Sequence, residues 1–299
     1  MQSKINDLLN FCYDDTESIE FQLFLITVKC LMPYEDNIGC IFDVDRYNKE
    51  IELFEYYMNE EDEIINYRLQ HKKPSDCNDE LLEFKIIPII ISNTVWDNTI
   101  DELLKAVVFY TLNKNTLLDA ILISSAIYEL MENSSNEDIE ELAKERLINF
   151  SVKDFFTNSQ MAAEKNYIID FERERIRLLS KPILFDEHTI DKYKALKYIF
   201  KRKDSFNKNR NGSVENKSDS DNSSDRSEVL NSFSEYLYKL RKGTINPEKL
   251  KISDKIPDIK ECLRHPLFNH PLLGRCKVVQ RTGSAVIIRN KTGTMRIRI

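Results

Sequence analysis

The sequence predicts a mainly α protein: a helical bundle, then a disordered linker, then a small β-meander tail. Three observations carry this expectation. One glycine, Gly39, precedes Gly212, so the first two thirds of the chain lack the residue that tight hairpin turns demand. The stretch Leu117–Met131 is apolar nearly all round, as in a helix at the centre of a helical domain. After Leu273 the pattern changes to β-rich runs punctuated by Thr282-Gly283 and Thr292-Gly293. The boundaries implied are a helical domain over 1–200, a linker over 201–228, and a short helix with a basic three-stranded segment over 229–299.

Taken in order, Ile19, Phe21, Leu23, Phe24, Ile26, Cys30 and Leu31 describe a mostly buried helix that begins at Glu17 and stops before Pro33. Glu50 to Tyr57 places Ile51, Phe54 and Tyr57 at helical spacing, with acids between them. Phe84 to Ser92, F-K-I-I-P-I-I-I-S, is short and β-branched, and Pro88 argues against a central strand. It reads as a buried extended segment leading into the next helix, or as a kinked forerunner of that helix. Thr99-Ile100-Asp101-Glu102 has the form of a capping box and precedes Leu103, Leu104, Val107, Val108 and Tyr110. Thr116 starts the central helix, in which Ala120, Ser124, Ser125 and Ala126 permit close packing. Two more helices follow, Asn136–Phe150 and Ser159–Leu179, the second with Ile168, Phe171 and Ile176 turned inward.

Residues 201–228 are nearly free of apolar side chains and cannot bury enough surface to offset their ordering entropy, hence the linker. A short helix over Glu228–Lys242 closes at Gly243. In the tail, Met295, Ile297 and Ile299 alternate with Arg296 and Arg298. The meander is expected to pack on the helices or to complete a small barrel with Pro266–Leu273.

Composition narrows the function. Hydrophobic residues make up 41% and charged residues 31%, enough for a core and a hydrated surface. No apolar run reaches the ~18 residues of a membrane span, and the opening Met1–Asp7 has no signal pattern. A cytoplasmic, non-membrane protein is expected. Cysteines 12, 30, 40, 77, 262 and 276 form no CxxC pair and read as reduced thiols. The glycine shortage excludes a P-loop or Rossmann phosphate loop in the first two thirds. His265, His270, Cys262 and Cys276 fit no zinc-finger spacing, so this Pro-rich stretch reads as a rigid connector. Trp96 reads as core.

The stretch Y-D-D-T-E-S, Tyr13 to Ser18, admits two readings. Asp14 as N-cap with Glu17 three residues on makes a carboxylate capping box, favoured by the helix dipole. Alternatively Asp14, Asp15 and Thr16 are hard-oxygen ligands for Mg²⁺ or Ca²⁺, which would need further acids; Asp43 and Asp45 qualify by chemistry alone. This run, opening a buried helix, resembles the first metal motif of the ADP-ribosylglycohydrolase family. Lys85-Ile86-Ile87-Pro88, then Asp101-Glu102, then Asn113-Lys114-Asn115 before an apolar helix, resembles a second stretch of that family. The resemblance covers roughly residues 11–150. It implies that Asp14, Asp15 and Thr16 hold Mg²⁺ in a hydrolase of ADP-ribose glycosidic bonds. The chain departs from the family in lacking its opening Gly-Asp-x-x-Gly, its turn histidine and its closing D-x-D-T run, which implies a degenerate site. The alternative is a non-catalytic helical interaction protein with a basic β tail.

Charge is unevenly spread. Residues 1–100 hold 21 acidic and 8 basic side chains, a balance of −13 within a net −7. Arg275, Lys277, Arg281, Arg289, Lys291, Arg296 and Arg298 form a tail with no acid. Edge protection or docking on the acidic front of the same chain is expected of them. Nucleic acid is disfavoured, since these strands carry no aromatics for stacking.

Overall fold

The computed structural model describes residues 1–34, 38–159, 161, 164–208, 222–246, 256–291 and 293–298. The architecture is mainly α, with a small antiparallel sheet at the C-terminus. No helix among the described residues is long and apolar enough to cross a membrane.

Helix α7 (Lys114–Glu132) is the centre, as its all-round apolarity predicts. Its N-cap is Asn113, whose side chain accepts the Thr116 N–H. Ala120, Ile121, Ser124, Ser125 and Ile127 are fully buried. The two serine hydroxyls donate to the Ile121 carbonyl, so no polar group is stranded there. Around α7 pack α5 (Leu82–Ser92), α6 (Trp96–Tyr110), α8 (Asn136–Asn149), α10 (Lys165–Leu179) and α12 (Lys194–Lys208).

Helix α5 decides between the two readings of this stretch: it is a helical forerunner of α6 and not an extended segment. Every residue from Leu82 to Ser92 is buried, and the segment is helical despite its β-branched residues and Pro88. A helix satisfies its backbone internally, whereas a buried extended segment would need ladder partners on both sides. Burial here overrides propensity. Pro88 lacks the N–H that would bond to the Phe84 carbonyl, and the buried Tyr13 hydroxyl donates to that carbonyl instead, at 3.3 Å. Lys85 is also inside. Its ammonium meets Asp79 at 2.7 Å and lies 4.1 Å from the centre of the Tyr110 ring.

Other boundaries move for local reasons. Helix α6 begins at Trp96, so Thr99 sits inside it and donates to the Val95 carbonyl. Glu102 caps nothing in α6. It reaches across to accept the Phe42 N–H at 2.8 Å. Helix α3 (Val44–Phe54) starts earlier than expected because Asp43 caps it. A short helix, α9 (Val152–Asn158), precedes α10. Ile176 in α10 is 64% exposed while Phe171 is buried. Five positions carry it about 140° round the helix from Phe171, away from the core.

The expected linker is helical at both ends, since α12 runs to Lys208 and α13 (Asn222–Arg241) begins well before Glu228. Extending a formed helix costs far less than nucleating one, which favours carrying α12 and α13 on from their packed turns. Residues 209–221 lie outside those described. Helix α13 returns to pack on α5 and on α1 (Gln2–Cys12), and Gly243 follows it with φ of +64°.

Two strands went unread in the sequence: β1 (Leu31–Pro33) and β2 (Cys40–Phe42), paired antiparallel. Gly39 beside β2 has φ of +112°, and a Cβ there would stand 2.5 Å from Asn93 Oδ1. The tail is a four-stranded antiparallel sheet in the order β3 (Leu267–His270), β4 (Gly274–Arg281), β5 (Ala285–Asn290), β6 (Gly293–Arg298). The Pro266–Leu273 stretch thus supplies a fourth strand to an open sheet. Cys276, Val286, Ile288 and Ile297 face inward and are fully buried.

Candidate functional site

Helix α2 (Ile19–Lys29) follows the Asp-Asp-Thr run, but its N-cap is Ser18, which accepts the Phe21 N–H at 3.2 Å. This corrects the assignment of Asp14 as cap. Asp15 Oδ1 accepts the Glu17 N–H at 2.8 Å, and the Asp15 carbonyl accepts the Ser18 hydroxyl at 2.9 Å. Thr16 is half-buried. The Asp14 carboxylate is 71% exposed and pairs with Lys194 at 2.8 Å. The Lys194 hydrogen bond holds the Asp14 carboxyl below its ordinary range. Asp43 is occupied in capping α3, accepting the Arg46 N–H, and Asp45 is exposed in the first turn of that helix. Among the described residues, no three His, Cys, Asp or Glu side chains converge as a metal-holding group. The donor set that Mg²⁺ would require is not assembled around Asp14, Asp15 and Thr16, and no chemical step is derived through such an ion.

The acids nearby hold chain. Buried Glu83 accepts the N–H groups of Lys194 and Ala195, each at 2.9 Å, at the start of α12. Burial raises its pKa, and those two hydrogen bonds oppose the rise. Glu140 accepts the Leu184 N–H at 2.7 Å. Asp119 accepts the Tyr193 hydroxyl and the Lys192 ammonium, both at 2.6 Å. These carboxylates clamp residues 184–195 across the bundle.

The His-Pro segment, expected as a rigid connector, instead forms strand β3 of the sheet. His270 is buried, its Nδ1 accepts the Leu272 N–H at 3.3 Å, and its Nε2 then carries the proton toward the Pro257 carbonyl at 3.2 Å. Both ring nitrogens are engaged by backbone. The Cys276 thiol is buried beside the Leu273 carbonyl. Trp96 is partly buried beneath the Arg146 guanidinium, 4.0 Å from its ring centre.

The tail differs from all of this. Across β4 and β5, Lys277 stands directly opposite Arg289, and Arg289 in turn opposes Thr294 on β6. Directly opposed residues share a face, and alternation along each strand adds Arg275 and Arg296 to it. A bulge between Val278 and Gln280 keeps that alternation from running through β4. All four cations are exposed, and none has a hydrogen bond or ion pair from its side chain among the described residues. Leu267, opposite Lys277, and Val279, in the bulge, are 54% and 51% exposed. Two cations that the sequence grouped with them are engaged elsewhere. Arg281 donates to the Leu263 carbonyl. Arg298 donates from its backbone to Tyr56 at 2.8 Å and from its guanidinium to Met58 at 3.4 Å, which ties the tail to the acidic front of the chain. Alternation in the sequence signalled a charged face. The pairing of Lys277 with Arg289 depends on register across the bulge and had no local signal.

Comparison with family models, curated proteins and solved structures finds no match for this chain.

Proposed function

We propose that this protein is a helical scaffold that presents a cationic sheet to a polyanionic partner. One observation carries the reading: the juxtaposition of Lys277 and Arg289 on an exposed face, with no ion pair from either side chain among the described residues. Like charges directly opposite each other in a sheet are destabilising, so the fold gains nothing from this pair. Edge protection accounts for cations on β6, an edge strand, but not on β4 and β5, which are flanked on both sides. Docking within the chain occupies Arg298 and leaves the other four cations outward. A bound polyanion would offset their mutual repulsion.

Heparin chromatography of the full chain tests this. The double variant Lys277→Glu/Arg289→Glu is expected to elute at clearly lower salt than the unaltered protein. Coincident elution would overturn the reading. The hydrolase reading, resting on Asp14, Asp15 and Thr16, makes a separate demand. Millimolar Mg²⁺ must raise the melting temperature, and Asp14→Asn must abolish that rise.

A further inference from the structure

We infer that the occupant of the cationic sheet is double-stranded nucleic acid, held through its phosphates without readout of bases; this rests on the platform reading above. The argument begins with the layout of charge. Lys277 and Arg289 are neighbours across two strands, roughly 5 Å apart at Cβ. Arg275 lies two residues along β4 from Lys277, about 7 Å away, and Arg296 lies on β6. The cations therefore spread in two dimensions. A duplex offers phosphates on two strands separated by a groove, which suits a spread of this kind. A single strand offers one row.

The side chains between the cations point the same way. Leu267, Asn269, Gln280, Ile287 and Thr294 share this face by register, and none is aromatic. Proteins that hold single strands stack bases on aromatic rings, gaining about 1–3 kcal/mol per base. This face has nothing to offer an unstacked base. In a duplex the bases are already stacked, and phosphate contacts supply most of the non-specific affinity. An acidic polypeptide could match the charge, but its carboxylates carry no fixed two-row geometry. The surroundings also set a direction. Exposed Glu55, Glu60 and Glu61 flank the Tyr56–Met58 stretch to which Arg298 is tied. They would repel a polyanion at that end of β6, so the duplex lies over β4 and β5.

The experiment uses the full chain and fluorescence anisotropy. The probes are a labelled duplex of about 20 base pairs, a single strand of the same length and polyglutamate. Duplex is expected to bind tightest. Four phosphate contacts predict a loss of affinity on the order of 100-fold between 50 and 200 mM salt. Lys277→Glu/Arg289→Glu should weaken duplex binding at least tenfold. Lys153→Glu/Lys165→Glu changes net charge equally on the exposed helical surface and should leave binding within about twofold. Equal or tighter binding of the single strand or of polyglutamate would overturn the duplex assignment while leaving the cationic platform in place. No binding to any polyanion, or unchanged binding by Lys277→Glu/Arg289→Glu, would overturn both.

Discussion

Lys85 and Lys277 are the same side chain in opposite circumstances. Lys85 lies inside α5, 1% exposed, with Asp79 at 2.7 Å and the Tyr110 ring beneath it. Lys277 is exposed on the sheet, opposite a second cation, and makes no ion pair among the described residues. The same contrast holds for the regions around them. In the helical body several charges have partners: Glu83 and Glu140 with backbone amides, Asp119 with Lys192 and Tyr193, and Arg241 at the end of α13 with Glu132 and the carbonyls at the end of α5. On the sheet face four cations have none among the described residues. Charge in the body belongs to folding. On the reading proposed above, the four cations of the sheet serve another molecule.

The largest expected effect comes from breaking a charge pair in the body. Asp79→Ala would leave the Lys85 ammonium buried and unpaired, at a cost of about 3–5 kcal/mol in urea denaturation. A loss below about 1 kcal/mol would mean that Lys85 finds water or another partner, and the contrast with Lys277 would weaken. Tyr13→Phe should cost about 1–3 kcal/mol, because it strands the buried Phe84 carbonyl that Pro88 already leaves open. A neutral result would show that this carbonyl needs no partner.

Acid should separate the regions by a different route. Burial first, and the Lys29 charge second, hold the His270 pKa below its ordinary value, against the hydrogen bond to Pro257. A depressed folded pKa means stability that is full above the unfolded value and lost as pH falls through the folded one. The sheet should therefore weaken as pH drops below about 6.5. The check is the melting temperature at neutral and mildly acid pH, for the unaltered protein and for His270→Gln. A smaller acid-induced fall in the variant is expected; equal falls would show that His270 does not govern it. The smallest effect has the opposite sign. Lys277→Thr removes a like-charge neighbour and should stabilise by about 0.2–1 kcal/mol while weakening polyanion binding. Destabilisation would show that Lys277 has a folding role after all.

The central helix was legible because its pattern is global, one apolar run of one length, although it begins at Lys114 behind the Asn113 cap rather than at Thr116. So were the Asn136 start of α8, the Gly243 stop after α13 and the alternation in β6. Helix α5 was legible only as one of two readings, because Pro88 and its isoleucines argue locally against what burial on all sides enforces, and the hydroxyl that makes it tolerable comes from Tyr13, 71 residues away. Glu102 was misread for a similar reason. Its spacing from Thr99 imitates a cap, while its actual partner is a strand amide 60 residues away. At the candidate site the sequence supplied every cation but not their division. Register across the bulge sets Arg281 apart from Arg275, Lys277, Arg289 and Arg296, and Arg298, on the same face as Arg296, is set apart by its contact with Met58.

The closing of the chain upon its own beginning has a consequence in time. Helix α1 packs on α12 and α13, Arg226 donates to the Asp14 carbonyl 212 residues earlier, and Arg298 reaches Met58 across 240. At 5–20 residues per second on a ribosome, roughly 10–50 s separate the emergence of such partners. Throughout that wait Ile5, Leu8 and Leu9 of α1, fully buried at the end, have no α13 to cover them. Helix α1 is made long before α13 covers it, so its apolar face passes through a long exposure on the nascent chain.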